Sequence, residues 1–306
     1  MLKRSLTTGV VKISVVINTW NEENNLPRAL ASIRGIADEI VVVDMHSTDR
    51  TIEIAKVAGA KVYSHKQTGY VEPARNFAIS KATGKWILIL DADEELSLKL
   101  RDKLKKLSDN PTADFYRLPR KNLIFNQWIR HSRWWPDYNI RFFKKGSVFW
   151  SELIHSVPET HGLGRDLPSQ EGFAIIHHHY ESISQYLQRS DRYSAIQAQS
   201  KLKEGYEFTW RDLIRKPLGE FLGRFFVGEA YKDGVHGLAL SLLQAYSELM
   251  VYLKIWEMGK FKTIILDTPE IENEFTKVQA ELDHWLVVKR MRRPTVLVKI
   301  LSKLTR

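Results

Sequence analysis

The 306-residue sequence contains no cysteine. Disulfides, thiolate nucleophiles and Cys-ligated zinc are thereby excluded, and a reducing compartment is compatible. The opening stretch "MLKRSLTTGVVKISVV" has no apolar core of signal-peptide length before the first strand. The expectation is a protein that is cytosolic or attached to a membrane from the cytosolic side. There is no internal repeat and no low-complexity tract. Glycine is missing where a dinucleotide-binding dehydrogenase would need it, because the first strand runs into "NTWNEENN", so that reading fails. No Walker-type loop is present either. Acid is in deficit, with 36 Asp and Glu against 46 Lys and Arg and a net charge of +10. Such an excess suits phosphate-rich ligands, nucleic acid or an anionic membrane surface. What is present in quantity is apolar: 43% of the residues are hydrophobic, enough for a sizeable core.

The first ninety residues alternate between apolar runs and amphipathic stretches. "KISVVI" (12–17), "EIVVVD" (39–44), "KVYSH" (61–65) and "WILIL" (86–90) read as strands. "NNLPRALASIRG", "STDRTIEIAKVAGA" and "EPARNFAISKATG" read as the helices between them. Pro27 suits a first turn, Ser47, Thr48 and Asp49 are N-cap candidates, and Gly35 and Gly59 are stop signals. This pattern predicts an α/β fold with a mostly parallel sheet flanked by helices. Ligands of such sheets bind at the carboxyl ends of the strands.

Residues 115–150 differ, with eleven aromatics, eight Lys or Arg and a single acid, Asp137. The stretch is either a platform for a phosphate-bearing or sugar-bearing ligand or an aromatic mini-core with solvated basic edges. Beyond residue 182 the pattern is helical. The expected division is 1–110, 111–182 as the second half of the same domain, and a helical region 183–306. Residues 235–256 are apolar but interrupted by Gln244, Glu248 and Lys254, which argues against a membrane span. The tail from 286 to 306 carries seven Lys or Arg and no acid, and it suits a helix lying on an anionic bilayer.

The chemistry concentrates in "WILILDADEE" (86–95), a core strand that ends in clustered carboxylates. An unpaired buried carboxylate is costly, so the cluster either turns into water or meets a cation. Hard divalent ions take one or two carboxylates plus substrate phosphates. A turn after the strand lets Asp91 and Asp93 aim at different targets.

The segments "SVVINTWNEENNLPRALASI", "EIVVVDMHSTDRTIEIA" and "EPARNFAISKATGKWILILDADEEL" look like the successive nucleotide-sugar motifs of family-two inverting glycosyltransferases with the Rossmann-like GT-A fold. Three later segments resemble a narrower branch, the bacterial transferases that add a hexose, typically glucose, to the lipopolysaccharide inner core. They are "YRLPRKNLIFNQWIRHSRWWPDYNIRFFKKG", "FWSELIHSVPE" and "IIHHHYESISQYLQRSDRYS". The resemblance implies a UDP-sugar donor and a divalent cofactor, Mn2+ or Mg2+. It places Asp44 on the uracil, Thr19, Asn21 and Glu23 around the nucleoside, and Arg75 on the uracil or pyrophosphate. Asp91 is implied to face the ribose and Asp93 the metal. For Asn21 a simple turn, and for Arg75 a surface ion pair, are the structural alternatives. Met45 and His46 stand where the family commonly has small residues.

Inverting transfer needs a base for the acceptor hydroxyl and stabilisation of the departing diphosphate. The base candidates are Glu152 first and Asp137 second. His177, which matches a histidine of the narrower branch, is a candidate to complete the metal site, and His155 is a weaker one. His177 and His179 share a face if the run His177–His178–His179 is a strand. The implied activity moves a hexose to a lipid-linked saccharide at the cytosolic face of the inner membrane. Alternatives are transfer to a polyprenyl phosphate, as in the dolichol-phosphate mannose synthases, or a non-catalytic sugar-nucleotide-binding module. A nucleic-acid-binding role leaves the strand-end carboxylates without a purpose, so no nucleic-acid partner is expected.

Overall fold

The computed structural model describes residues 12–66, 72–150 and 158–291. The chain forms two compact units, the first made of residues 1–128 and 135–179, the second of 129–134 and 180–306. The second unit takes 129–134 and 180–182 out of the expected 111–182 segment.

In chain order the first unit holds β1 (Ile13–Thr19), α1 (Leu26–Ser32), β2 (Glu39–Asp44), α2 (Thr51–Val57), β3 (Lys61–Ser64), α3 (Glu72–Lys81) and β4 (Trp86–Ile89). It continues with β5 (Glu94–Leu96), α4 (Leu98–Asp109), β6 (Phe115–Ile124), β7 (Gln127–Trp128) and β8 (Asp137–Lys144). The short strands β9 (Val148–Phe149), β10 (Glu159–Thr160) and β11 (Gly164–Asp166) follow, and β12 (Ile175–Tyr180) ends the series. The main sheet runs β3-β2-β1-β4-β8-β6-β12-β5. Its first four strands pair in parallel, and β8 then joins β4 and β6 antiparallel.

The strands form where apolar residues run without alternation, because both faces are covered. All seven residues of β1 are buried. Pro27 occupies the first turn of α1, where its missing N–H costs nothing. Gly35 and Gly59 follow α1 and α2 with φ of +80° and +79°, a left-handed stop that favours glycine. None of the three N-cap candidates holds that position, which Arg50 occupies without a side-chain cap. Asp49 just before it accepts the Thr51 N–H at 3.0 Å, while Ser47 turns to Asp44 and Thr48 to Asn21.

The basic aromatic stretch 115–150 supplies core and charge together. Phe142 stacks on Trp86 with ring centroids 4.7 Å apart, and Tyr116 lies 6.0 Å from both. Its basic residues pair with acids from elsewhere, Arg117 with Asp166 and Lys144 with Asp114 among them. The mini-core reading therefore accounts for Tyr116, Phe142 and Phe143, all fully buried. At the amino end of β2, the end away from Asp44, Glu39 is buried. Burial pushes its pKa up, but hydrogen bonds from Lys61, Ser14 and Thr83 outweigh that and hold it at about 2.

The second unit contains α5 (Ile183–Lys203), α6 (Asp212–Leu222), α7 (Gly234–Met258) and α8 (Thr268–Met291). Ala198, Val251, Tyr252 and Ile255 make its buried core. Among the described residues one helix, Ala230–Met258, is long and apolar enough to cross a membrane by length and composition, and 28% of its apolar window is buried. The polar interruptions are used inside the unit. Gln244 donates to the Tyr186 hydroxyl at 2.8 Å, and Lys254 pairs with Asp191 at 2.6 Å. These bonds tie α7 to α5.

Candidate active site

The strand order 3-2-1-4 makes β1 and β4 the pair between which successive crossovers part, and open α/β sheets bind ligands in the crevice at such a point. Register places Thr19 opposite Asp44 at the carboxyl ends of β1 and β2. Both are buried, and the Thr19 hydroxyl donates to Asp44 Oδ1 at 3.1 Å. Ser47 donates its hydroxyl to Asp44 Oδ1 at 2.6 Å and its N–H to Oδ2 at 2.9 Å. Asn21, at φ +54°, accepts the Thr48 N–H at 2.8 Å. Glu23 accepts from the Arg50 N–H at 3.2 Å, and its own N–H donates to Asp49 at 3.0 Å. Thr19, Asn21, Glu23 and Asp44 thus clip the loop after β1 to the loop after β2. His46 sits in that second loop at φ +62°, a conformation that favours small residues, which gives the departure at this position a backbone meaning.

After β4 the acid cluster divides. The Asp91 carboxylate receives Arg141 Nη2 at 2.6 Å and Arg75 Nη2 at 3.2 Å. Burial would push its pKa up, but Arg141 and then Arg75 outweigh that and hold it far below the usual carboxylate range. Its side chain remains 27% exposed, so a ligand can still reach it. Glu94 is fully buried and accepts from Arg141 at 2.8 Å and from Arg120 at 3.3 Å. Arg120 also holds Asp137 at 2.6 Å. Asp137 further accepts from Asn122 and Asn139, each at 3.1 Å. Burial raises its proton affinity, and Arg120 with these amides lowers it further than burial lifts it.

Asp93 lies elsewhere, against β12. His177 Nε2 is 3.6 Å from Asp93 Oδ2, and both residues are buried. The Asn122 amide settles the imidazole's polarity. Its nitrogen donates to Asp137, so its Oδ1 is an acceptor, and His177 Nδ1 at 2.6 Å must be the donor. In neutral His177 the Nε2 then carries the lone pair, facing Asp93 and His179 Nδ1, the latter at 3.2 Å. A carboxylate oxygen and an imidazole nitrogen are ligand types that a divalent cation takes, and the second ring nitrogen donates to an oriented amide. Among the described residues no group of three or more His, Asp or Glu is placed to hold a metal. His178 points to Glu95 at 3.1 Å.

The structure therefore groups Thr19, Asn21, Glu23 and Asp44 in one cluster, Arg75 with Asp91 in a second, and Asp93 with His177 in a third. Glu152 and His155 lie outside the described residues. Sequence reasoning did not single out Glu94, Arg120, Asn122 or Arg141. Arg141 carried a usable signal, since a guanidinium between Ile140 and Phe142 in an apolar strand must find a buried carboxylate.

The family model "Glycosyl transferase family 2" matches residues 14–171. An uncharacterised glycosyltransferase of Rickettsia typhi is 33% identical over 81% of this chain and 88% of its own length. The lipopolysaccharide core biosynthesis glycosyltransferase LpsC of Rhizobium meliloti is 25% identical over 82% of this chain and 94% of its own. Among solved structures, S. aureus TarS 1–349 in complex with UDP superposes with a TM-score of 0.45 at 15% identity, over 84% of this chain and 94% of that one. With a match that starts in β1 and takes in the acid cluster, and a relative aligned along most of both chains, this protein belongs to glycosyl transferase family 2.

Proposed function

We propose that the protein moves a hexose from a UDP-sugar to a lipid-linked saccharide of the lipopolysaccharide-core type, with inversion and with Mn2+ or Mg2+ as cofactor. The observation that carries this reading is the buried Asp93–His177 pair, 3.6 Å apart, a carboxylate oxygen and an imidazole nitrogen of the kinds a divalent cation takes. The relative LpsC, named for lipopolysaccharide core biosynthesis, supports the acceptor class.

In this reading Asp93 and His177 hold the metal, which when bound supplies Lewis-acid stabilisation of the departing diphosphate. The chain's own groups do the rest. Asp44, held by Thr19 and Ser47, presents a fixed acceptor to the base. Asn21 and Glu23 keep the two loops around the nucleoside in register. Asp91 meets the ribose, and Arg75, locked onto Asp91, adds a cation near the diphosphate. Of the two base candidates, Asp137 is the weaker acceptor because Arg120 and two amides already occupy it. We therefore assign proton removal to Glu152.

The test is a thermal-shift screen of the full chain with UDP-, GDP- and dTDP-sugars plus manganese. A ligand at a hundred times its Kd adds about 2.7 kcal/mol to stability, and UDP-sugars are expected to give that rise while the other two do not. EDTA should remove it. A screen with no shift, or a shift indifferent to EDTA, overturns the reading.

We further propose peripheral attachment to the cytosolic face of the inner membrane. α7 leaves Val235, Leu238, Leu242 and Tyr246 exposed at spacings of three and four, which is one helical face. Phe261, between Lys260 and Lys262, is also exposed, as is Ile265 at 93%. With the basic tail these surfaces suit an anionic bilayer. The full chain should sediment with phosphatidylglycerol vesicles and be released by salt. Deleting 286–306 should weaken that binding, and equal sedimentation with neutral vesicles would refute the proposal.

A further inference from the structure

The helical unit holds a cleft of about 240 Å³ that takes no part in the chemistry above. Its lining is unusual in a chain with a +10 charge. Tyrosines, serines and glutamines dominate, and the charged groups are two carboxylates, Glu220 and Glu248, against one guanidinium, Arg224. The polar groups are braced. Gln244 donates to the Tyr186 hydroxyl, which also bonds Ser247 at 2.8 Å, and Ser247 bonds Ser190 at 2.7 Å. Arg224 is spent on Glu220. Glu248 has its pKa raised by burial and then by Glu220.

We propose that this cleft binds an uncharged saccharide unit. A sugar ring offers apolar C–H faces bounded by hydroxyls. Tyrosine supplies the matching ring with a polar tip, and fixed amide and carboxyl side chains supply planar donors and acceptors. Half-buried Tyr180 and Tyr193 present such rings, and fully buried Tyr186 packs behind Tyr180 with centroids 4.8 Å apart. Gln244 keeps its Oε1 without a partner among the described residues, as does the amide of Gln197 at the exposed rim. Pre-braced polar groups lose little entropy on binding. The lining's charge balance favours neutral over anionic sugars, because its one cation is paired with Glu220 and Glu248 adds a second carboxylate. The inference stands on the second unit alone and does not depend on the donor reading.

Saturation-transfer NMR of the full chain with methyl glycosides of glucose, galactose, mannose and N-acetylglucosamine tests it, with glucose 1-phosphate as the anionic comparison. At least one neutral glycoside is expected to bind saturably and glucose 1-phosphate not to. Gln244→Ala should weaken binding about tenfold, as losing one buried hydrogen bond does. Gln197→Trp, a rim substitution that leaves the braced network untouched, should abolish it. The UDP-sugar thermal shift should be unchanged in both variants. No signal from any neutral glycoside, equal binding in Gln197→Trp, or equal binding of glucose 1-phosphate each overturns the proposal.

Discussion

Asp93→Ala is expected to lower manganese-dependent release of UDP from a UDP-sugar by about a thousandfold or more. A bound Lewis acid is worth several kcal/mol to a departing diphosphate, and each 1.36 kcal/mol is a factor of ten in rate. Without the carboxylate, His177 alone is a poor site for a hard cation. The fold should survive, because the backbone carbonyl of Asp93, which accepts the His178 N–H at 2.9 Å, is retained. Slow hydrolysis of the donor by water gives a readout that needs no acceptor. The same variant should lose the manganese-dependent thermal shift while its own melting temperature stays within a few degrees of the parent. Asp93→Asn separates charge from shape: it keeps an oxygen donor and should retain a small residual rate. Full turnover in Asp93→Ala would remove the metal from this position altogether.

Much of the first unit was legible because local signals agreed with the global fold. Unbroken apolar runs gave the parallel strands, and Pro27, Gly35 and Gly59 marked the helix that begins and the two that end. The carboxylates at the tips of β2 and β4 stood out because charge rarely ends a core strand. Period two on β12 put His177 and His179 on one face, and their rings indeed lie 4.5 Å apart. What was not legible was pairing at long sequence separation. Asp91 meets Arg141 fifty residues on, and Asp93 meets His177 across the sheet. No local pattern encodes such contacts, since they exist only once β8 is inserted beside β4 and β12 beyond β6. For the same reason Asp137 read as a candidate base, being the lone acid in a basic stretch. The fold surrounds it with donors and lowers its appetite for a proton. Glycine and proline, which act locally, were read well; arginine, which acts at a distance, was not.

Arg141→Met is expected to destabilise the first unit strongly. The guanidinium is 2% exposed and its Nη2 bridges Asp91 and fully buried Glu94. Burial opposes its charge, but the two carboxylates outweigh that and keep it protonated. Removing one partner of a buried ion pair costs about 3–5 kcal/mol, because the remaining charge is left uncompensated. At about 2–4 °C per kcal/mol for a domain of this size, the melting temperature should fall by roughly 6–20 °C at neutral pH. The sign of the pH dependence is distinctive. In the parent, the folded pKa of Asp91 lies below its ordinary 3.8, so its contribution is present above pH 3.8 and fades as the pH falls. In the variant, Asp91 loses its strongest cation, so its folded pKa moves up from the parent's and the penalty grows as the pH rises. The gap between parent and variant should therefore narrow as melting is repeated towards pH 4. Arg141→Lys restores a cation but not the fork that reaches two carboxylates at once, and should recover part of the loss. Nε and Nη1 of Arg141 have no hydrogen-bond partner among the described residues, so the hydrogen-bonded part of the effect is carried by Nη2 and its two acids. A gap that stays constant between pH 7 and pH 4 would show that Arg141 fills space there and does not balance charge.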